Sequence, residues 1–230
     1  MSLLEERLCD VRRRIAAAAE SCGRNPQDIT LIAVTKTYPI EDMNEAIRLG
    51  VTDIGENKPQ EIRNKFDDVL PVKWHLIGHL QTNKVKYVID RCCMLHSVDS
   101  IKLMQEIERL AVAHDCHMDI LIQVNISGEE TKSGIAPSEL DELLRYAGEL
   151  SRVHIKGLMT IVPKTEYGDP SEHFANMKKL FDETAKKSYK NVEMKELSMG
   201  MSGDFEAAIR NGATMVRVGS SIFGPRNYNQ

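Results

Sequence analysis

The sequence predicts an α/β fold, a single (β/α)8 barrel of the TIM type with an extra N-terminal helix. Three observations predict it. Eight short apolar runs are spread along the chain, helical patterns or short turns separate them, and no Gly/Ser/Pro linker or low-complexity segment interrupts the series. Strand-then-helix order implies parallel strands joined by crossover helices, and eight such units fit within 230 residues. An open doubly wound sheet, usually of about five to seven strands, is the alternative. Residues 1–230 read as one domain.

The elements follow in order. Leu4, Leu8, Val11, Ile15 and Ala18 share one face of a first helix over residues 3–21, which Gly23 ends and Asn25-Pro26 turns. The strand candidates are "ITLIAV" (29–34), "DIG" (53–55), "WHLIG" (74–78), "MLHSV" (94–98), "DILIQVN" (119–125), "IKGLMTI" (155–161), "MKELSM" (194–199) and "MVRVG" (215–219). Helical spacing recurs between them. Met43, Ala46 and Ile47 form one apolar side, as do Leu103, Ile107, Leu110 and Ala111. "PSELDELLRYAGEL" starts with Pro137 near a first turn, and "EHFANMKKLFDETAKK" and "GDFEAAIRNG" complete the helices.

Composition narrows the function classes. Apolar residues make up 42% and charged residues 28%, which suits a globular protein with a sizeable core. The formal charge is -4 with both signs interspersed, so neither nucleic acid nor an anionic membrane is expected as partner. No apolar stretch approaches a membrane span, and "MSLLEERLCDVRRR" lacks the apolar core of a signal peptide, so a cytoplasmic location is expected. Cys9, Cys22, Cys92, Cys93 and Cys116 have neither metal-ligand nor disulfide spacing and read as free, mostly buried thiols. His114, Cys116 and His117 read as an exposed helix end, so no metal site is expected.

Chemistry in such a barrel gathers at the C-terminal ends of the strands. Those ends carry Thr35-Lys36, Gly55-Glu56-Asn57, Gly78-His79, Ser97 and Asp99, Asn125 and Ser127, "SMGMSGDF" and "RVGSSIFG". Lys36 stands where an apolar run stops. A partly desolvated lysine there presents an amine able to attack a carbonyl, although a lysine that only snorkels to the rim fits the same position. In "MSGDFEAAIRNG", Ser202 reads as a helix N-cap and Gly203 as a point of close backbone approach. "VGSSIFG" puts Gly219 and Ser220 just past strand eight. Loops after strands seven and eight commonly bind phosphate through N–H groups and a helix dipole. Strands one and eight are neighbours in a closed barrel, so one ligand would meet both features: an aldehyde or ketone carrying a phosphate. A sugar phosphate and pyridoxal 5'-phosphate (PLP) both qualify. Arg217 shares Gly219's face of strand eight and, if that face is the interior, lies beside the ligand's ring. His79 and Lys132 are further loop candidates.

"AVTKTYP", "IGENKPQE", "WHLIGHLQTNKVK", "QVNISGEETKSGI", "GLMTI", "LSMGMSGDFEAAI" and "RVGSSIFG" closely resemble the pyridoxal phosphate homeostasis proteins, a family similar to the N-terminal domain of alanine racemase. The match runs from about Leu31 to Arg226. The resemblance implies a PLP fold-type III barrel with the cofactor held as a Schiff base by Lys36. It also implies phosphate contacts from Ser202, Gly219 and Ser220, with Arg217 near the pyridine nitrogen. Asn57 matches the family's "GEN" motif beside the cofactor, His79 its "GHLQ", and Lys132 its "SGEExKxG" loop. The function expected is to hold or deliver PLP and keep vitamin B6 and amino-acid pools in balance, without robust catalysis. A monomer is expected, with PLP-dependent apo-enzymes as recipients. An amino-acid racemase is the alternative, but it needs a second base and a covering domain, for which the residues after the last strand leave no room. A Schiff-base aldolase is the third reading.

Overall fold

The computed structural model describes residues 1–129, 131–163 and 169–225. Eight parallel strands close into a barrel in sequence order, with β1 paired to both β2 and β8. The strands are β1 (Thr30–Val34), β2 (Asp53–Glu56), β3 (Lys73–Leu76), β4 (Cys92–Val98), β5 (Met118–Gln123), β6 (Val153–Met159), β7 (Val192–Met201) and β8 (Met215–Val218). All eight expected strands are present, with ends shifted by up to two residues. The helices are α1 (Leu3–Ser21), α2 (Ile40–Arg48), α3 (Pro59–Lys65), α4 (Ile101–Ala113), α5 (Leu140–Ala147), α6 (Ser171–Ala185), α7 (Phe205–Arg210) and α8 (Ser220–Phe223). The β3–β4 link is a 3-10 helix, Thr82–Tyr87, where strict alternation calls for an α-helix. Glu130 of the "SGEETKSG" loop, Arg226 and the chain beyond it lie outside the described residues.

The extra helix α1 forms as its spacing predicts. The Ser2 hydroxyl accepts the Glu5 N–H at 3.2 Å, and Gly23, at φ 72°, continues past the Cys22 C-cap. Leu8, Val11, Ile15 and Ala18 are buried. Parallel strands with both faces covered read as continuous apolar runs because one face meets the helices and the other the barrel interior. The larger core lies between barrel and helices and includes Ala33, Ile54, Leu76, Leu95, Ile107, Phe174 and Phe205. A smaller cluster of Ile32, Met94, Leu121, Met159 and Met215 fills the interior.

The expectation of mostly buried thiols fails. Only Cys92 is buried; Cys9, Cys22 and Cys93 are exposed and Cys116 is intermediate. Cys9 and Cys22 lie on and just past the outward face of α1, where burial is not required of them. Among the described residues no group of three or more side chains could hold a metal ion, and no helix is long and apolar enough to cross a membrane.

Candidate functional site

A cavity of about 480 Å³ opens at the C-terminal ends of the strands. All seven candidate residues line it: Lys36, Asn57, His79, Ser202, Arg217, Gly219 and Ser220. They come from the ends of β1, β2, β3, β7 and β8. Ser97, Asp99, Asn125, Ser127 and Lys132 are not among its lining residues. Ser97 instead donates to the Gly78 carbonyl at 2.6 Å, and Asn125 organises its own loop by accepting from Ser127 and the Gly128 N–H. Lys132 also stays within that loop, its carbonyl near the Asn125 amide, while its neighbour Ser133 reaches the cavity.

Lys36 is half-buried at the cavity wall. The chain turns sharply after it: Thr37 has φ 69°, a left-handed conformation unfavourable to a β-branched residue. The Thr37 N–H donates to Glu61 Oε2 at 3.0 Å and holds that turn. Before Lys36, the buried Thr35 hydroxyl donates to Glu56 Oε1 at 2.8 Å, and Lys65 Nζ reaches the same oxygen at 2.9 Å. Glu56 Oε2 is buried without a hydrogen-bond partner among the described residues. Burial pushes the Glu56 carboxyl up to about 7, against the pull of Lys65.

The β7–α7 turn departs from expectation. Asp204, not Ser202, precedes the helix at the N-cap position, and its Oδ1 accepts the Met201 N–H at 2.6 Å. The Ser202 hydroxyl instead accepts the Gly219 N–H at 3.1 Å, tying the ends of β7 and β8 together. The helix starts two residues later than a Ser202 cap would place it, and Gly200, at φ 91°, packs the strand end closely against α7. A Cβ there would meet that of Ala208 at 2.5 Å. A Cβ built on Gly203 meets no atom within 4 Å, so the space in front of its backbone is open. Close approach occurs at Gly219, where a Cβ would lie 3.2 Å from the Val34 carbonyl oxygen. That packing sets the β8 turn against the strand that carries Lys36.

Arg217 points inward. It is 3% exposed, donates from Nη1 to Ser198 Oγ at 2.6 Å and from Nη2 to the Thr160 carbonyl at 2.9 Å. Burial lowers its pKa to about 10, with Asp204 acting the other way, so it stays a cation at neutral pH. His79 is on the rim, its side chain 60% exposed and Nδ1 3.9 Å from Asp99 Oδ2. The sequence reading missed Gln123, Ile161 and Met201 as lining residues. It also missed the buried histidines His75 and His96 inside the barrel. Polar residues within runs covered on both faces were the available signal.

Residues 8–227 match the family described as "Alanine racemase, N-terminal domain". The pyridoxal phosphate homeostasis protein of Aquifex aeolicus is 43% identical over 226 residues, covering 97% of this chain and 98% of that one. That of Escherichia coli K12 is 41% identical, with 100% of both chains covered. The solved structure of PipY from Synechococcus elongatus with PLP bound has a TM-score of 0.79 at 31% identity, covering 96% of this chain and 100% of that chain. The chain therefore belongs to the alanine racemase N-terminal domain family and, within it, to the pyridoxal phosphate homeostasis proteins.

Proposed function

We propose that this chain binds PLP in the cavity at the strand ends and serves PLP homeostasis. The observation that carries the reading is the convergence on one cavity of Lys36, Asn57, His79, Ser202, Arg217, Gly219 and Ser220. The donor set fits the cofactor. The open space at Gly203, the Ser202 and Ser220 hydroxyls and the first turn of α8 at Ser220 suit a phosphate. Lys36 supplies an amine for the aldehyde. Arg217 lies on the inner wall, where a ring nitrogen would face it, and the two hydrogen bonds described use two of its five N–H donors. Asn57 and His79 flank the remaining edge. The volume falls within the range of roughly 300–1,000 Å³ usual for small-ligand sites.

When bound, PLP supplies an electrophilic aldehyde and an electron-withdrawing ring. The chain's own groups set how far that chemistry goes. Arg217 remains protonated at neutral pH, so it donates to a ring nitrogen and does not protonate it. Racemisation needs bases on both faces of the ring. Among the described lining residues the titratable side chains are Lys36, His79 and Arg217, so His79 is the candidate for a second base. It stands on the exposed rim. This supports a protein that holds or delivers PLP without robust catalysis, as the names of its relatives do. We further propose that it acts as one cytoplasmic, monomeric domain and passes PLP to apo-enzymes.

Borohydride treatment of the holo-protein, followed by peptide mass mapping, tests the site. One equivalent of cofactor should be fixed on the peptide carrying Lys36, and Lys36→Ala should lose the visible absorption band. Fixation on another lysine would remove the assignment. Incubation with L-amino acids and chiral chromatography tests the carrier reading, and turnover at or above about 1 s⁻¹ would replace it with the racemase.

A further inference from the structure

A file of polar side chains crosses the barrel interior below the cavity. Arg217 Nη1 donates to Ser198 Oγ at 2.6 Å. Ser198 Oγ lies 3.0 Å from His96 Nδ1. His96 Nε2 lies 2.9 Å from His75 Nδ1, and His75 Nε2 lies 2.9 Å from Asp53 Oδ1. The Thr52 hydroxyl donates to Asp53 Oδ2 at 2.7 Å. The five members come from β8, β7, β4, β3 and β2, and each is at most 5% exposed. Arg217 borders the cofactor cavity, whereas Asp53 borders a second cavity at the opposite mouth, beside Thr52 and Lys73. The file thus spans the barrel end to end.

The chemistry of its ends gives the file a direction. A guanidinium only donates and a carboxylate only accepts. Burial opposes the charge on Asp53, but hydrogen bonds from His75 and Thr52 and the nearby Lys73 hold its carboxyl below the usual value. Burial, with His75 and Arg217 nearby, keeps His96 uncharged. One arrangement then puts a proton in every link: Arg217 N–H to Ser198, Ser198 O–H to His96 Nδ1, His96 Nε2–H to His75 Nδ1, and His75 Nε2–H to Asp53. A proton on His75 Nδ1 would reverse the two middle links. His96 would then donate from Nδ1 to Ser198, leaving the buried Ser198 O–H without an acceptor among its partners, which burial disfavours. The Cys93 thiol, 3.4 Å from His75 Nε2, is engaged at the Trp74 carbonyl and does not disturb this order.

We propose that Ser198, His96, His75 and Asp53 are positioning residues: a one-way hydrogen-bonded file that aims Arg217 at the ring nitrogen of PLP and anchors its charge at the far end of the barrel. The proposal rests on the PLP reading for its ligand but not for its geometry. In the file, Ser198 keeps a lone pair toward Arg217 because His96 holds the hydroxyl proton. Without His96 that proton can turn toward the guanidinium, and Arg217 loses its fixed bearing.

Two experiments test it. Nitrogen-15 NMR of ring-labelled histidines in the apo-protein reads the tautomers directly. His75 and His96 should both carry their proton on Nε2 alone, and a proton on Nδ1 of either ring overturns the file. The second experiment measures affinity for PLP and for its deaza analogue, in which carbon replaces the ring nitrogen. His96→Leu should weaken PLP roughly tenfold and leave the analogue unchanged, the scale of one hydrogen bond to a charged group. His96→Asn, which keeps an acceptor for Ser198, should recover most of the loss. Equal weakening of both ligands would make His96 merely structural and overturn the proposal. Should His96→Leu not fold, the tautomers of the native chain still decide. Native protein that takes up neither ligand overturns the PLP reading and the role of Arg217, whatever tautomers the rings show.

Discussion

The two sides of the barrel wall are built on opposite principles. Outside, between strands and helices, a continuous aliphatic and aromatic core includes Val11, Met43, Ile62, Leu95, Ile107, Leu144, Phe174 and Phe205. Inside, five apolar side chains share the space with Asp53, His75, His96, Ser198 and Arg217. The outer layer is non-directional and tolerates exchange of one apolar side chain for another of similar volume. The inner one is directional: each member is hydrogen-bonded to the next, and the two ends find further partners in the Thr160 carbonyl and the Thr52 hydroxyl. The contrast teaches that stability and ligand handling occupy separate layers of the same eight strands.

The comparison can be broken first from outside. Phe174→Ala, at a fully buried position on α6, should cost about 3–5 kcal/mol in urea unfolding. The folded fraction should bind PLP with native affinity. A large loss of affinity at unchanged occupancy of the folded state would mean that the layers are coupled.

Glu56 sharpens the contrast because it crosses it: an ionisable group on β2, turned toward Lys65 of α3. Its folded pKa of about 7 exceeds the model-peptide value of 4.5. The folded state therefore binds the proton more tightly. The resulting stability is fully present below pH 4.5 and is lost as pH rises through 7, on the order of 3 kcal/mol in all. Glu56→Gln should flatten this decline, since the amide can keep an acceptor for Thr35 and Lys65. Parallel stability–pH curves for the two proteins between pH 5 and 8 would refute it.

From inside the cavity, removing the Ser202 and Ser220 hydroxyls together should weaken PLP about tenfold or more, with pyridoxal far less affected. Isothermal titration of both ligands separates the outcomes, and equal losses would remove the phosphate assignment. The smallest effect should come from the periphery. Ser2→Ala removes the α1 cap and should cost about 1 kcal/mol in thermal unfolding, without change in affinity.

Legibility in the sequence follows the same division. The outer layer shows as helical spacing, such as Leu103, Ile107, Leu110 and Ala111, and as apolar runs, so the element order and barrel closure were readable. The cavity was readable because strand ends carry it, and Lys36, Gly219 and Ser220 each follow an apolar run. The interior file was not. His75 and His96 sit within "WHLIG" and "MLHSV", and their partners lie 21 to 102 residues apart along the chain. Spacing within one strand carries no record of which polar side chain faces it across the barrel. The Ser202 cap was misread because Ser and Asp are both good N-caps and the sequence offers them two residues apart.

Helix α1 is the first element described, yet it packs most heavily against two of the last, α7 and α8. Arg14 bonds Glu206 at 2.7 Å and lies over the Phe205 ring, and Arg24 donates to the Ile209 carbonyl at 2.8 Å. β1 likewise awaits β8 for its second neighbour. During synthesis the part of the apolar face of Leu8, Val11, Ile15 and Ala18 that meets α7 and α8 therefore stays uncovered until roughly the last tenth of the described chain has left the ribosome. Those late residues, 202 to 220, also complete the cavity. Barrel closure, the packing of α1 on α7 and completion of the cavity thus all depend on the same segment of the chain.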